Sequence, residues 1–255
     1  MGKKKSKVYA IARGVDSKTG KDVLNIIVDS WAKCEPLIKG VKGAKYKSFD
    51  RMEDAKEYLE NTCKNGIKMT ADTELPKCLH AYVDGSYNDK TEGIGTGIVL
   101  VDSDVIQNIF TLKAGDNLES AKNLRQTVGE LVGALAVVNS CKKSGITEVA
   151  IFHDYEGVAG HALGTWNRNS EFAEKYYSVM QERMSEGMSI HFIQVNSHIG
   201  VIMNEVADDL AKKSIDIGST GVVHKYLATH TFNVKDLSIK TKLMDLGYPE
   251  ESLVV

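Results

Sequence analysis

From Leu79 onward the hydrophobic period of the chain changes in a fixed order, and that order limits the fold more than any other feature. "LHAYVD" sets Leu79, Ala81 and Val83 against His80, Tyr82 and Asp84, the alternation of a half-buried strand. "GTGIVLVDS" and "VIQNIFTLK" follow closely enough to form an antiparallel meander. "NLRQTVGELVGALAVVNSCKK" then reads as a long helix, "EVAIFHD" as a buried strand, and "EGVAGHALG" and "SEFAEKYYSVMQERMSEG" as helical. "MSIHFIQVN" is a further strand and "NEVADDLAKKS" a closing helix. This βββ-α-β-α-β-α order predicts one α/β domain over residues 79–215, on a mixed five-stranded sheet. The glycines of "GIGTG" (93–97) lie between strands, lack the full dinucleotide fingerprint, and read as a hairpin.

A smaller α+β module precedes it, over residues 1–60. "KVYAIARG" is strand-like, "NIIVDSW" is a second extended run entering Trp31, and "GAKYKSF" a third. "DRMEDAKEYLE" is a helix in which Asp50 and Glu53 form a capping box. Residues 61–78 have poor periodicity, a Gly and a Pro, and read as a linker. Residues 216–255 hold short mixed elements and form a C-terminal extension of unassigned role. The halves differ in charge. Residues 1–60 carry fourteen Lys and Arg against nine Asp and Glu, a net +5, which leaves −7 for the rest. A basic head on an acidic body suggests two modules with different tasks.

No apolar run approaches the length of a membrane span, and the basic start "MGKKKSKVYA" lacks the apolar stretch of a signal peptide, so a cytoplasmic protein without a membrane partner is expected. Cys34, Cys63, Cys78 and Cys141 form no CxxC pair and read as reduced thiols, with no metal or disulfide framework. A monomer is assumed.

Three carboxylates and one acidic helix stand out. Asp84 and Asp154 each end a strand, where ligands of α/β sheets collect, and Gly85 is read as turning the chain after Asp84. Glu130 has Gly133, Ala134, Val137 and Cys141 on its own side of a helix that is apolar or small nearly all round. A carboxylate there is shielded from water and needs a cation or a donor. The last helix brings Glu205, Asp208 and Asp209, with Asn204 as its N-cap, and spacing leaves open which acid faces the sheet. His198 sits in the loop before it and titrates near neutrality. Carboxylates clustered without His or Cys ligands favour hard ions such as Mg²⁺ or Mn²⁺.

"YVDGSYN", "GELVGALAV", "IFHDYEGV" and "NSHIGVIMNEVADDLA" together resemble the type 1 ribonuclease H family, in the same element order over residues 79–215. The resemblance implies a ribonuclease H-like fold, with Asp84, Glu130, Asp154 and Asp208 as ligands of two Mg²⁺ ions, for which Mn²⁺ could substitute. Asp208 is taken before Asp209 because it fills the D of "NEVAD". The resemblance gives His198 a part in water attack or product release. It gives Gln126, where the family usually has Asn, contact with the minor groove. "YAIARG", Trp31, Cys34 and "KGAKYKSF" resemble the hybrid-binding, viroplasmin-like domain found ahead of such nucleases, which implies stacking by Trp31 and Tyr46 and phosphate contacts by Lys45 and Lys47. The stretch between "ARG" and Trp31 is longer than is usual there.

The implied activity is metal-dependent endonucleolytic cleavage of the RNA strand of RNA–DNA hybrids, giving 5′-phosphate and 3′-hydroxyl ends. Two rivals are a non-catalytic hybrid- or double-stranded-RNA-binding protein that kept the fold, and a same-fold nuclease acting on DNA junctions. A pure binder has no need of four acids facing phosphate, and the hybrid-binding head disfavours the DNA reading.

Overall fold

Residues 7–17, 22–41, 44–63, 65–70, 73–114, 126–195 and 201–255 are described by a computed structural model, in which the chain divides into two units, Met1–Asn65 and Gly66–Val255. In the first unit β1 (Val8–Val15), β2 (Asp22–Val28) and β3 (Lys45–Phe49) make an antiparallel sheet in the order β2-β1-β3. Helices α1 (Trp31–Ile38) and α2 (Met52–Cys63) cover its two faces. Alternate residues of β1 serve the two sides. Ile11 meets Cys34 and Ile38 of α1, whereas Ala10 and Ala12 meet Ala55 and Leu59 of α2.

Three local readings change here. Within the long stretch before Trp31, Asp22–Val28 is a strand, with β2 paired to β1 from Tyr9↔Val28 to Val15↔Asp22. Trp31 opens a helix instead of ending a strand; eight residues with Pro36 inside carry too little periodicity to reveal one. Helix α2 begins at Met52, so Asp50 stands one residue ahead of the capping position, and the neighbouring Arg51 pairs with Asp54.

The second unit holds an eight-stranded sheet in the order β11-β10-β7-β6-β5-β8-β9-β4. The five expected strands are β5 (Leu79–Asn88), β6 (Gly93–Asp102), β7 (Val105–Ala114), β8 (Glu148–His153) and β9 (Ser189–Gln194). β5, β6 and β7 are antiparallel neighbours, and β8 and β9 continue from β5 in parallel. Three short strands extend the five. β4 (Asn65–Lys68), in the segment read as linker, lies beside β9, and β10 (Phe232–Val234) and β11 (Leu253–Val254) add in parallel beyond β7. Strands of two to four residues are too short to show a period.

Helices α3 (Gln126–Lys143), α4 (Gly157–Ala162) and α5 (Glu171–Ser185) cover one sheet face, over Ala81, Val83, Ile98 and Ile151. The other face carries Tyr82, Val99 and Phe152 under α6 (Ile202–Lys213) and the C-terminal α7 (Val222–Leu227) and α8 (Leu237–Met244). Leu227, Phe232, Leu243, Tyr248 and Leu253 are buried in that second core, so residues 216–255 are part of the domain's packing and not an appendage. Among the described residues no helix is long and apolar enough to cross a membrane.

"GIGTG" lies inside β6 and is not a hairpin. A Cβ at Gly97 would overlap the Ala207 carbonyl oxygen, and one at Gly95 would overlap that of Ala211. Glycine at alternate positions of β6 lets the backbone of α6 lie directly on the strand.

Candidate active site

β5 does not stop at Asp84. Its antiparallel pairing with β6 runs on to Asn88↔Gly93, whereas its parallel pairing with β8 ends at Tyr82↔Phe152. Asp84 therefore stands where β8 has left the sheet, at an edge open on one side only. Gly85 does not turn the chain. It stays in the strand, where a Cβ on Gly129 of α3 would lie 2.7 Å from its Cα. A turn and a close helix crossing both require glycine, and nine residues of sequence cannot separate them. The Asp84 carboxylate accepts the Gly85 N–H (2.6 Å) and the Asn204 Nδ2–H (3.3 Å).

The same close crossing delivers Glu130. Its helix is buried along Ala134, Val137 and Cys141 on the glutamate's own side, while Val132 and Leu135 elsewhere on it are only half-buried. Glu130 is 3% exposed, and its Oε2 accepts the Tyr155 N–H at 3.1 Å. Asp154 follows the last residue of β8, and its carboxylate lies close enough to Glu130 to raise the glutamate's pKa by repulsion. It does not cap α4, whose capping position is Glu156. Carboxylate oxygens of Asp84, Glu130 and Asp154 all lie within 4.8 Å of one another.

α6 separates the two neighbouring aspartates. Asp208 is near enough to Asp84 to raise its pKa by repulsion, and its Oδ2 accepts from Lys212 Nζ at 2.5 Å. Asp209 turns the other way and accepts the Tyr248 hydroxyl at 2.9 Å in a buried contact. Asn204 is not an N-cap, because α6 begins two residues earlier with Val201 at the capping position. Its amide instead orients Asp84, a role that its place in "NEVAD" does not reveal.

Burial is the first cause that pushes the Asp84 and Glu130 carboxyls well above the usual range. Repulsion from Asp154 adds to both, then from Asp208 at Asp84 and from Asp84 at Glu130. The neighbouring His153 is fully buried, and burial lowers it to about 4, so it stays neutral beside the acids with its Nδ1 toward the Tyr155 carbonyl (2.9 Å). Three carboxylates so close, offset at Asp84 by Lys212, form a site short of positive charge. Its all-oxygen donor set suits a hard divalent ion.

The remaining expected residues are placed as follows. Gln126 opens α3, and His198 lies outside the described residues. In the first unit Trp31 and Tyr46 are each 43% exposed, with ring centroids 6.0 Å apart, and Tyr9 adds a third ring 5.6 Å from Trp31. Lys45 and Lys47 alternate with Tyr46 along β3 and so project toward the opposite, α2 side; Lys47 lies over the Phe49 and Tyr58 rings. Aromatics and lysines thus flank one edge strand and do not share a face.

The family profile described as RNase H matches residues 76–216, more than half of the chain, and that described as Ribonuclease H1 N-terminal domain matches residues 7–59. No curated protein matches significantly. Similar solved structures include RNase H1 from the halophilic archaeon Halobacterium salinarum NRC-1, at 22% identity over 54% of this chain and 97% of that one, with a TM-score of 0.44. The N-terminal RNase H domain of Rv2228c from Mycobacterium tuberculosis is similar at 22% identity over 53% and 96%, with a TM-score of 0.43. LC11-RNase H1 in complex with an RNA/DNA hybrid is similar at 16% identity over 54% and 96%, with a TM-score of 0.45. The RNase H profile runs from just ahead of β5 to just past α6 and so takes in the strands and helices that carry the acids; the chain belongs to the ribonuclease H family and has an N-terminal domain of the ribonuclease H1 type.

Proposed function

We propose that this ribonuclease H cuts the RNA strand of RNA–DNA hybrids endonucleolytically, with Asp84, Glu130, Asp154 and Asp208 holding two Mg²⁺ ions, for which Mn²⁺ can substitute. The observation that carries the reading is the meeting of carboxylates from β5, α3 and the end of β8 within 4.8 Å in a largely buried site. Such ions, when bound, activate the attacking water and stabilise the leaving ribose 3′ oxygen, which leaves 3′-hydroxyl and 5′-phosphate ends.

The chain's own residues prepare the site. Asn204 and the Gly85 N–H fix the rotamer of Asp84, and the Tyr155 N–H fixes that of Glu130. Lys212 pairs with Asp208 and holds its carboxylate in place. His198, in the loop ahead of α6, is assigned to help water attack or product leave. Gln126, at the start of α3, is assigned to the minor groove, where the 2′-hydroxyls mark the RNA strand.

Residues 1–60 are assigned to hybrid binding. Exposed Trp31 and Tyr46 stack on sugars or bases from one side of β3, and Lys45 and Lys47 hold phosphates from the other. Tethering this head to the catalytic unit raises the local concentration of substrate. The test is to incubate RNA–DNA hybrid, double-stranded RNA and double-stranded DNA with the full chain in Mg²⁺ and to map the ends of the products. Cleavage confined to the hybrid's RNA strand is expected. Intact hybrid, or preferred cleavage of either other duplex, would overturn the proposal.

A further inference from the structure

A second cluster of ligand-type side chains stands at the opposite end of the same strands. Cys78 immediately precedes β5, Glu148 opens β8 and His191 lies in β9, and one donor atom of each falls within 4.8 Å of the others. The strand register explains why they meet. β5 pairs Leu79 with Val149, and β9 pairs with β8 as Glu148↔Ser189 and Ala150↔His191. Cys78, Glu148 and His191 therefore share parity and leave the sheet on one face, that of Tyr82, Ala150 and Phe152. Their wide separation in sequence hides the cluster from any spacing motif.

The chemistry differs from that of the catalytic acids. A thiolate, an imidazole nitrogen and a carboxylate form the mixed donor set that borderline-soft Zn²⁺ takes, with water completing the tetrahedron. His191 Nε2 already lies 2.9 Å from Glu148 Oε1, with Ser189 Oγ 3.4 Å from the same nitrogen. Cys78 and His191 are half-buried and Glu148 is exposed, so an ion can enter directly from solvent. Five residue steps along β8, about 16 Å of strand, separate Glu148 from His153 beside the catalytic cluster, too far for one ion to touch both.

We propose that Cys78, Glu148 and His191 bind one Zn²⁺ ion that clips together the leading ends of β5, β8 and β9. Binding converts the Cys78 thiol to thiolate and releases its proton. The experiment titrates the full chain with Co²⁺, whose thiolate charge-transfer band only a cysteine ligand can produce, and then adds Zn²⁺. One equivalent of band is expected, displaced by Zn²⁺, abolished in Cys78→Ser, and weakened more than about tenfold in affinity in both His191→Ala and Glu148→Gln. Zn²⁺ should also raise the melting temperature of the unaltered chain more than that of Cys78→Ser. Absence of the band, or its survival in Cys78→Ser, would overturn the site. A band indifferent to His191→Ala would overturn the three-ligand assignment. Hybrid cleavage in Mg²⁺ should be equal in all four proteins, which checks that each is folded.

Discussion

The two units place their candidate functional side chains in opposite environments. In the first, Trp31 and Tyr46 are each 43% exposed on a small three-stranded sheet; in the second, Asp84 and Glu130 are 8% and 3% exposed beneath close-packed helices. Exposed rings are available to any nucleic acid surface and lose little if the duplex shifts. Buried like charges are costly unless a cation joins them, and they act only at one fixed geometry. The first arrangement suits affinity and the second suits chemistry, so changes in the two units should move different observables.

The largest effect expected is on the packing that brings the acids together. Gly97→Ala drives a Cβ into the Ala207 carbonyl on the helix that carries Asp208, and should cost about 3 kcal/mol or more in urea unfolding of the full chain. An unchanged midpoint would mean that α6 can shift without harm, and the case for geometric precision would fail.

Glu130→Gln tests the buried charge itself. It should lower hybrid cleavage at least about a hundredfold, since groups that merely orient a metal ligand are worth roughly 10- to 100-fold. In chelator, however, it should stabilise the fold. Asp84 and Glu130 have raised pKa values in the folded chain, so above the ordinary carboxyl range the folded state holds protons that the unfolded state has lost. Their contribution therefore falls as pH rises above about 4.5 through the raised values. With chelator present, the unaltered chain should melt higher at about pH 6.5 than at about pH 8, and Mg²⁺ or Glu130→Gln should shrink the difference. Buried His153 acts in the opposite sense, but between about 6.5 and its folded value near 4, below this window. A melting temperature that climbs steadily from pH 6.5 to 8 in chelator would contradict the picture of repelling acids.

Tyr248→Phe removes the donor to buried Asp209 and should cost about 1–3 kcal/mol. It should lower Mg²⁺ affinity as well if the C-terminal segment helps to hold the face of α6 on which Asp208 lies. Unchanged stability would reduce the last forty residues to a cover over the sheet edge.

The smallest effect belongs to the head. Trp31→Ala with Lys47→Ala should weaken hybrid binding several-fold and reduce the salt slope by about 1, with turnover at saturating hybrid unchanged. Lower turnover at saturation would break the division between the units.

Much of the site was legible in the sequence because its signals are long or repeated. The period of β5 to β9, the all-round apolar α3 and the acid at the end of β8 survive any small error of boundary. What escaped was short or ambiguous. Gly85 and "GIGTG" carry turn chemistry but serve close helix crossings, which only the partner helix reveals. Asn204 stands where a cap belongs and instead reaches Asp84 on another element. α1, β4, β10 and β11 are too short for periodicity, and Tyr248 meets Asp209 from a segment without any motif. Which of Asp208 and Asp209 faces the acids depends on the rotation of α6, set by tertiary packing.

The central claim is that Asp84, Glu130 and Asp154 form one metal-dependent cleaving centre. Its most direct test is single-turnover cleavage of an RNA–DNA hybrid in Mg²⁺ by the unaltered chain and by Asp84→Asn, with hybrid affinity measured in parallel. The account predicts cleavage lost at least about a hundredfold in the variant, with binding retained through the exposed head. Equal cleavage by Asp84→Asn would contradict it.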